Sequence, residues 1–120
     1  MKNSTKTLNT MDSCYYCNCP LTKSTATIDH LIPLARGGSN TESNRVWCCK
    51  HCNIQKGDLT PDEFTLFKVV KKNYKKKLTT ASFNDLCDRL GLYRNEEKRV
   101  KRNELEYAVR KNLLEELYGD

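Results

Sequence analysis

The sequence predicts a small α+β fold in which two short strands and a helix are held together at their ends, followed by a helical extension. Three observations predict it. Four cysteines form two C-x-x-C pairs, Cys14–Cys17 and Cys49–Cys52; β-branched stretches joined by an irregular connection lie between the pairs; and beyond Thr60 the apolar residues recur with helical spacing. A chain of 120 residues, 38% apolar, holds one domain's worth of material with a modest core. Cores of that size are often reinforced by disulfides or metal.

The elements follow in order. Residues 1–12 are polar and aperiodic and are expected as a flexible N-terminal arm. The core segment is 13–60, and within it Ser24–Ile28 and Arg45–Trp47 read as two short strands. Between them Pro33 and the pair Gly37-Gly38 exclude regular structure. A short helix is expected over 49–56. The helical extension is 61–120. Thr60-Pro61-Asp62-Glu63 is a helix start with Thr60 as N-cap and Glu63 completing a capping box, and Phe64, Phe67, Val70 and Tyr74 mark one face of a helix running to Lys77. Ser82 or Asn84 caps a shorter helix that Gly91 ends, and Leu105, Val109, Leu113 and Leu117 give a long last helix, 95–118, its packing stripe.

The cysteines point to metal rather than bridges. The first thirteen residues contain no apolar run of the signal-peptide kind, and no later stretch is long enough to span a membrane. The expected compartment is therefore intracellular and cytoplasmic, where thiols stay reduced, and seven cysteines is an odd number. Two C-x-x-C knuckles offer four thiolates to one tetrahedral zinc, with Cys14, Cys17, Cys49 and Cys52 as ligands. Cys19, Cys48 or His51 can each replace one of them, and Cys87 reads as packing. A closed four-sulfur site is structural: it leaves no coordination position open for chemistry.

Charge suggests the partner. The net charge is +6, and residues 68–77 alone contribute six lysines and no acid, so the remainder sums to zero. Such a run is either a solvated helix face or a phosphate-binding surface.

The segment between the knuckles carries Asp29-His30, Asn44 and Asn53-x-x-Lys56. These are the residue types that phosphodiester hydrolysis needs: His30 as the base that activates water, Asp29 and Asn53 as hard oxygen ligands for magnesium or manganese, and positive groups to hold the backbone. A zinc-ribbon module that binds DNA without cutting it is the rival from another class, and RNA is the rival substrate.

The run Thr27-Ile28-Asp29-His30-Leu31-Ile32-Pro33-Leu34-Ala35-Arg36-Gly37-Gly38-Ser39-Asn40, then Asn44, then Cys49-x-x-Cys52-Asn53-x-x-Lys56-Gly57-Asp58 resembles the HNH endonuclease family over about Cys14 to Phe64. The resemblance implies a ββα-metal fold, the His-Me finger, stapled by a four-cysteine zinc site. It implies a metal-dependent DNA endonuclease in the cytoplasm of a bacterial or phage-infected cell, with His30 as general base, Asp29 and Asn53 on the catalytic cation, and Asn44 bracing the loop that positions His30. Asn53 stands where the family's name implies histidine. With duplex DNA as the partner, Arg36, Lys56, Lys68, Lys71, Lys72 and Lys75 are the expected phosphate contacts.

Overall fold

A computed structural model describes residues 6–73, 78–93 and 98–118, as backbone alone at 98–99 and 115–118. Among the described residues the architecture is α+β: one two-stranded sheet, four α-helices and, within the connection expected to be irregular, two single 3-10 turns, Leu34–Arg36 and Glu42–Asn44. The chain divides into two compact units, Met1–Pro61 and Asp62–Asp120.

In the first unit β1 (Ala26–His30) and β2 (Arg45–Cys49) pair antiparallel, with Ala26 opposite Cys49 and His30 opposite Arg45. β1 begins two residues later than the β-branched run suggested. Thr22 and Thr25 close a turn first, through Thr25 N–H to Thr22 O at 3.1 Å and Thr22 N–H to Thr25 Oγ1 at 2.8 Å. Helix α1 (Lys50–Lys56) follows β2 directly, and its N-cap is Cys49, whose sulfur accepts from the Cys52 N–H. Alternation along the strands puts Thr27, Asp29, Val46 and Cys48 on one face. Of these, Asp29, Val46 and Cys48 are buried.

The connection between the strands turns on Asn44. Its buried amide accepts from Ile32 N–H at 2.9 Å and donates to Ile32 O at 3.0 Å and Ser39 O at 2.7 Å, so one side chain closes the loop from both ends. Gly38 permits this closure, because a Cβ there would lie 1.8 Å from Ile32 O and 2.9 Å from Asn44 Nδ2. Gly37 has φ 92°, which other residues rarely adopt.

The arm expected to be loose is tied down from Leu8 onward. Leu8 N–H donates to Arg45 O at 2.8 Å, and the Asn9 amide pairs with Trp47 in both directions, accepting from its N–H at 2.7 Å and donating to its carbonyl at 3.1 Å. An asparagine side chain that mimics a strand residue leaves no periodic pattern, which is why polarity alone read as a flexible arm.

In the second unit α2 (Pro61–Asn73) buries Phe64, Leu66, Phe67 and Val70, with the two phenyl rings stacked 6.2 Å apart. Tyr74 and the lysines at 75–77 lie outside the described residues. Helix α3 (Thr80–Leu90) is capped by Thr79 rather than Ser82 or Asn84: Thr79 Oγ1 accepts from Ser82 N–H at 3.0 Å, the N-cap to N3 bond. Gly91, with φ 74°, ends it as expected. Helix α4 (Lys98–Tyr118) buries Leu105, Val109 and Leu113; the side chain of Leu117 lies outside the described residues. Buried Arg102 ties α4 to the end of α3 through Asp88 Oδ1 at 2.6 Å and Leu92 O at 3.1 Å. Among the described residues no helix is long and apolar enough to cross a membrane.

The Gly38 contact yields a direct test. Gly38→Ala must push the Ile32 carbonyl away and should cost about 1–3 kcal/mol, the scale of overpacking a tight site. Equilibrium urea unfolding checks it, and an unchanged midpoint would contradict the close approach.

Candidate functional site

The two knuckles bring their sulfurs to one point. Cys14, Cys17, Cys19 and Cys49 place their sulfurs within 4.8 Å of one another. Each knuckle turns its peptide N–H groups onto its leading sulfur: Tyr16 and Cys17 N–H onto Cys14 Sγ at 3.3 and 3.5 Å, and Cys52 N–H onto Cys49 Sγ at 3.4 Å. The sulfurs of Cys17 and Cys49 are 3.9 Å apart. Two thiolates on a common tetrahedral zinc, each about 2.3 Å from it, would be separated by about 3.8 Å, so the donor set and its spacing fit that ion.

The fourth member differs from the expectation drawn from spacing. Cys19 joins the close quartet and Cys52 does not, although Cys52 is buried beside it. Burial raises the Cys52 thiol, with contributions from Cys49, Cys14 and Cys17. The reason lies in the turn after Cys17. Asn18 takes a left-handed conformation, φ 64°, and Cys14 N–H donates to Cys19 O at 2.9 Å, which folds Cys19 back over the knuckle. A Cys-x-Cys spacing was the only mark of this in the sequence. At Cys14 burial pulls the thiol upward, but the N–H groups of Cys49, Cys17 and Tyr16 outweigh it and bring it down to about 7. Hydrogen bonding to Cys17 pushes Cys19 up to about 12. So arranged, the cluster favours the thiolate at Cys14 and disfavours it at Cys19 and Cys52, where a bound cation would balance the charge.

On the α1-facing side of the sheet lies a second polar group. Asn53 and Lys56 are three residues apart and so share one face of α1. Asn53 Nδ2 donates to Thr27 Oγ1 at 3.0 Å, and Lys56 Nζ meets Asp29 Oδ2 at 3.0 Å and His30 O at 2.9 Å. Spending the Asn53 NH2 on Thr27 leaves its oxygen as the atom that can ligate a hard cation, alongside the Asp29 carboxylate. Tyr16 Oη also donates to Asp29 Oδ2, at 2.6 Å. Burial, and then the Asp29 carboxylate, hold that phenol well above the usual tyrosine range, so it stays a donor. Tyr16 was not singled out from the sequence, since an aromatic between two cysteines carries no functional signal of its own.

Lys56 requires a correction. It was expected among the phosphate contacts, yet its side chain is 0% exposed. An ammonium already buried on a carboxylate is not presented to DNA.

His30 is the last residue of β1 and half-exposed, and its side chain alternates with that of Asp29. Among the described residues its ring bonds Asn40: Nε2 lies 2.7 Å from Asn40 Oδ1. An amide oxygen only accepts, so Nε2 carries the proton and Nδ1 keeps its lone pair when the ring is neutral. Asn44 holds the loop that carries Asn40. Of the remaining basic residues, Arg36 is exposed and donates to Asp58 O at 3.1 Å. Lys68 and Lys72 are exposed and Lys71 is half-buried, with Lys68 Nζ 4.9 Å from the Phe64 ring centre. Lys75 lies outside the described residues.

Residues 14–66 match the family model described as HNH endonuclease. The chain is also 44% identical over 46 residues to the CRISPR-associated endonuclease Cas9 of Corynebacterium diphtheriae. That alignment covers 38% of this chain and 4% of the relative. The matched segment contains both strands, α1 and every candidate residue from Cys14 to Lys56, which agrees with the resemblance read from the signature segments.

Proposed function

We propose that residues 14–66 form a metal-dependent HNH endonuclease module that hydrolyses phosphodiester bonds in duplex DNA. The observation that supports this best is the coincidence of the family match with a strand–strand–helix unit in which Asp29 and Asn53 bring oxygen donors to the β1–α1 face while His30 keeps Nδ1 free of a protein partner among the described residues. His30 Nδ1 takes a proton from the attacking water. Asn40 fixes the ring by accepting from Nε2, and Asn44 fixes the loop that carries Asn40. Asp29 and Asn53 would hold magnesium or manganese, which when bound supplies charge stabilisation at the phosphate and the leaving oxygen. The exposed lysines of α2, with Arg36 and Lys75, hold the DNA backbone and contribute affinity without reading sequence.

A structural zinc holds the knuckles. Spacing and geometry agree on Cys14, Cys17 and Cys49; the fourth ligand is Cys52 by spacing and Cys19 by geometry. Purified protein should contain about one zinc per chain, and Cys14→Ser should lose both the ion and the fold. Comparing zinc content in Cys19→Ser and Cys52→Ser identifies the fourth ligand, since the true ligand's variant should lose the ion. A folded wild-type chain without zinc would contradict the assignment.

Catalysis is tested at His30. In single-turnover cleavage of supercoiled plasmid with magnesium or manganese, His30→Ala should keep zinc, fold and DNA affinity and lose about a hundredfold or more in rate, the scale of general-base removal. Wild-type rates in this variant would remove His30 from the reaction. No cleavage by the wild-type chain, with DNA affinity intact, would favour a binding module.

A further inference from the structure

Tyr16 lies between Cys14 and Cys17, yet its two ends serve different groups. Its peptide N–H donates to Cys14 Sγ at 3.3 Å, inside the knuckle. Its phenol donates to Asp29 Oδ2 at 2.6 Å. The ring between these ends is confined, packed edge-on against Tyr15 at 5.4 Å and lying 5.8 Å from the Lys56 ammonium. Lys56 reaches the same carboxylate oxygen, at 3.0 Å. Two donors on Oδ2, one from the first knuckle and one from α1, fix the plane of the carboxylate. Rotation of Asp29 would break both bonds, and Oδ1 is left as the oxygen for a hard cation.

From this geometry we propose that Tyr16 is a positioning residue for the catalytic cation, its hydroxyl carrying the order of the cysteine knuckle to Asp29 so that the carboxylate is preset as a ligand. The proposal rests on the reading of Asp29 as a cation ligand. Groups that orient a metal ligand are worth about 10–100-fold in metal affinity when removed. Tyr16→Phe is the appropriate probe, because it keeps the ring and deletes only the donor. A purely structural bond would lower stability and leave cation binding alone.

The test titrates manganese into the full-length, zinc-loaded protein and follows free manganese by electron paramagnetic resonance, for wild type, Tyr16→Phe and Asp29→Ala. Zinc content is measured on each sample. Tyr16→Phe should keep its zinc and bind manganese about tenfold more weakly, and its plasmid-cleavage rate should return to the wild-type value at saturating manganese. Asp29→Ala should bind little or none. Wild-type manganese affinity in Tyr16→Phe, with Asp29→Ala defective, overturns the proposal and leaves the reading of Asp29 standing. Wild-type affinity in Asp29→Ala overturns that reading and the proposal with it. Loss of zinc or fold in Tyr16→Phe would assign the hydroxyl to the knuckle's structure and also overturn the proposal.

Discussion

The convergence of residues 14–19 and Cys49 on one set of sulfurs is the constraint on which the first unit depends. Among its described residues the buried apolar ones are few: Cys14, Pro33, Val46, Cys48, Cys52 and Leu59. So small a core does not offset the entropy of ordering the segment between the knuckles, more than half of which is irregular. An ion shared by those sulfurs would join the ends of that segment and remove much of the freedom the unfolded chain would otherwise keep. The same sulfurs also start α1, since Cys49 is both a member of the cluster and the N-cap of the helix. Helix α1 carries Asn53 and Lys56, so the cluster sets where both of them meet β1.

The polar group under α1 shows why burial and function are compatible here. A buried ion pair such as Lys56 with Asp29 contributes little net stability, because desolvating both charges offsets their attraction. It does fix one arrangement: moving Lys56 would leave Asp29 without its counter-charge and the His30 carbonyl without its donor. A carboxylate paired with an ammonium and bonded by a phenol on the same oxygen is held in one orientation. The fold thus orders Asp29 through Lys56 and Tyr16, Asn53 through Thr27, and His30 through Asn40, each by a different partner.

The local signals in the sequence were those with a fixed period or spacing. The C-x-x-C pairs, the Thr60-Pro61 helix start and the four-residue stripe of Leu105, Val109 and Leu113 report interactions with near neighbours, and the described structure starts α2 at Pro61, buries the stripe and brings Cys14, Cys17 and Cys49 of the knuckles together. What could not be read depends on chain segments distant in sequence. The Asn9 amide pairs with Trp47, Tyr16 reaches Asp29, and Lys56 turns inward to β1 instead of outward to phosphate. Cys19 enters the sulfur cluster only because Asn18 adopts a left-handed turn, which the residue type permits without requiring. Asn40 lay within the signature run, but its bond to His30 depends on the fold of the loop that Asn44 and Gly38 close.

The central claim is that Asp29 and Asn53 form a hard-cation site within reach of a phosphate presented to His30. The most direct measurement is the anomalous diffraction of manganese in crystals of the zinc-loaded protein bound to a non-cleavable duplex DNA. The account predicts a manganese peak on the Asp29 carboxylate and the Asn53 amide oxygen, with a phosphate oxygen on the same ion and His30 Nδ1 facing that phosphate. A manganese peak elsewhere on the protein, with DNA bound away from His30, would contradict it.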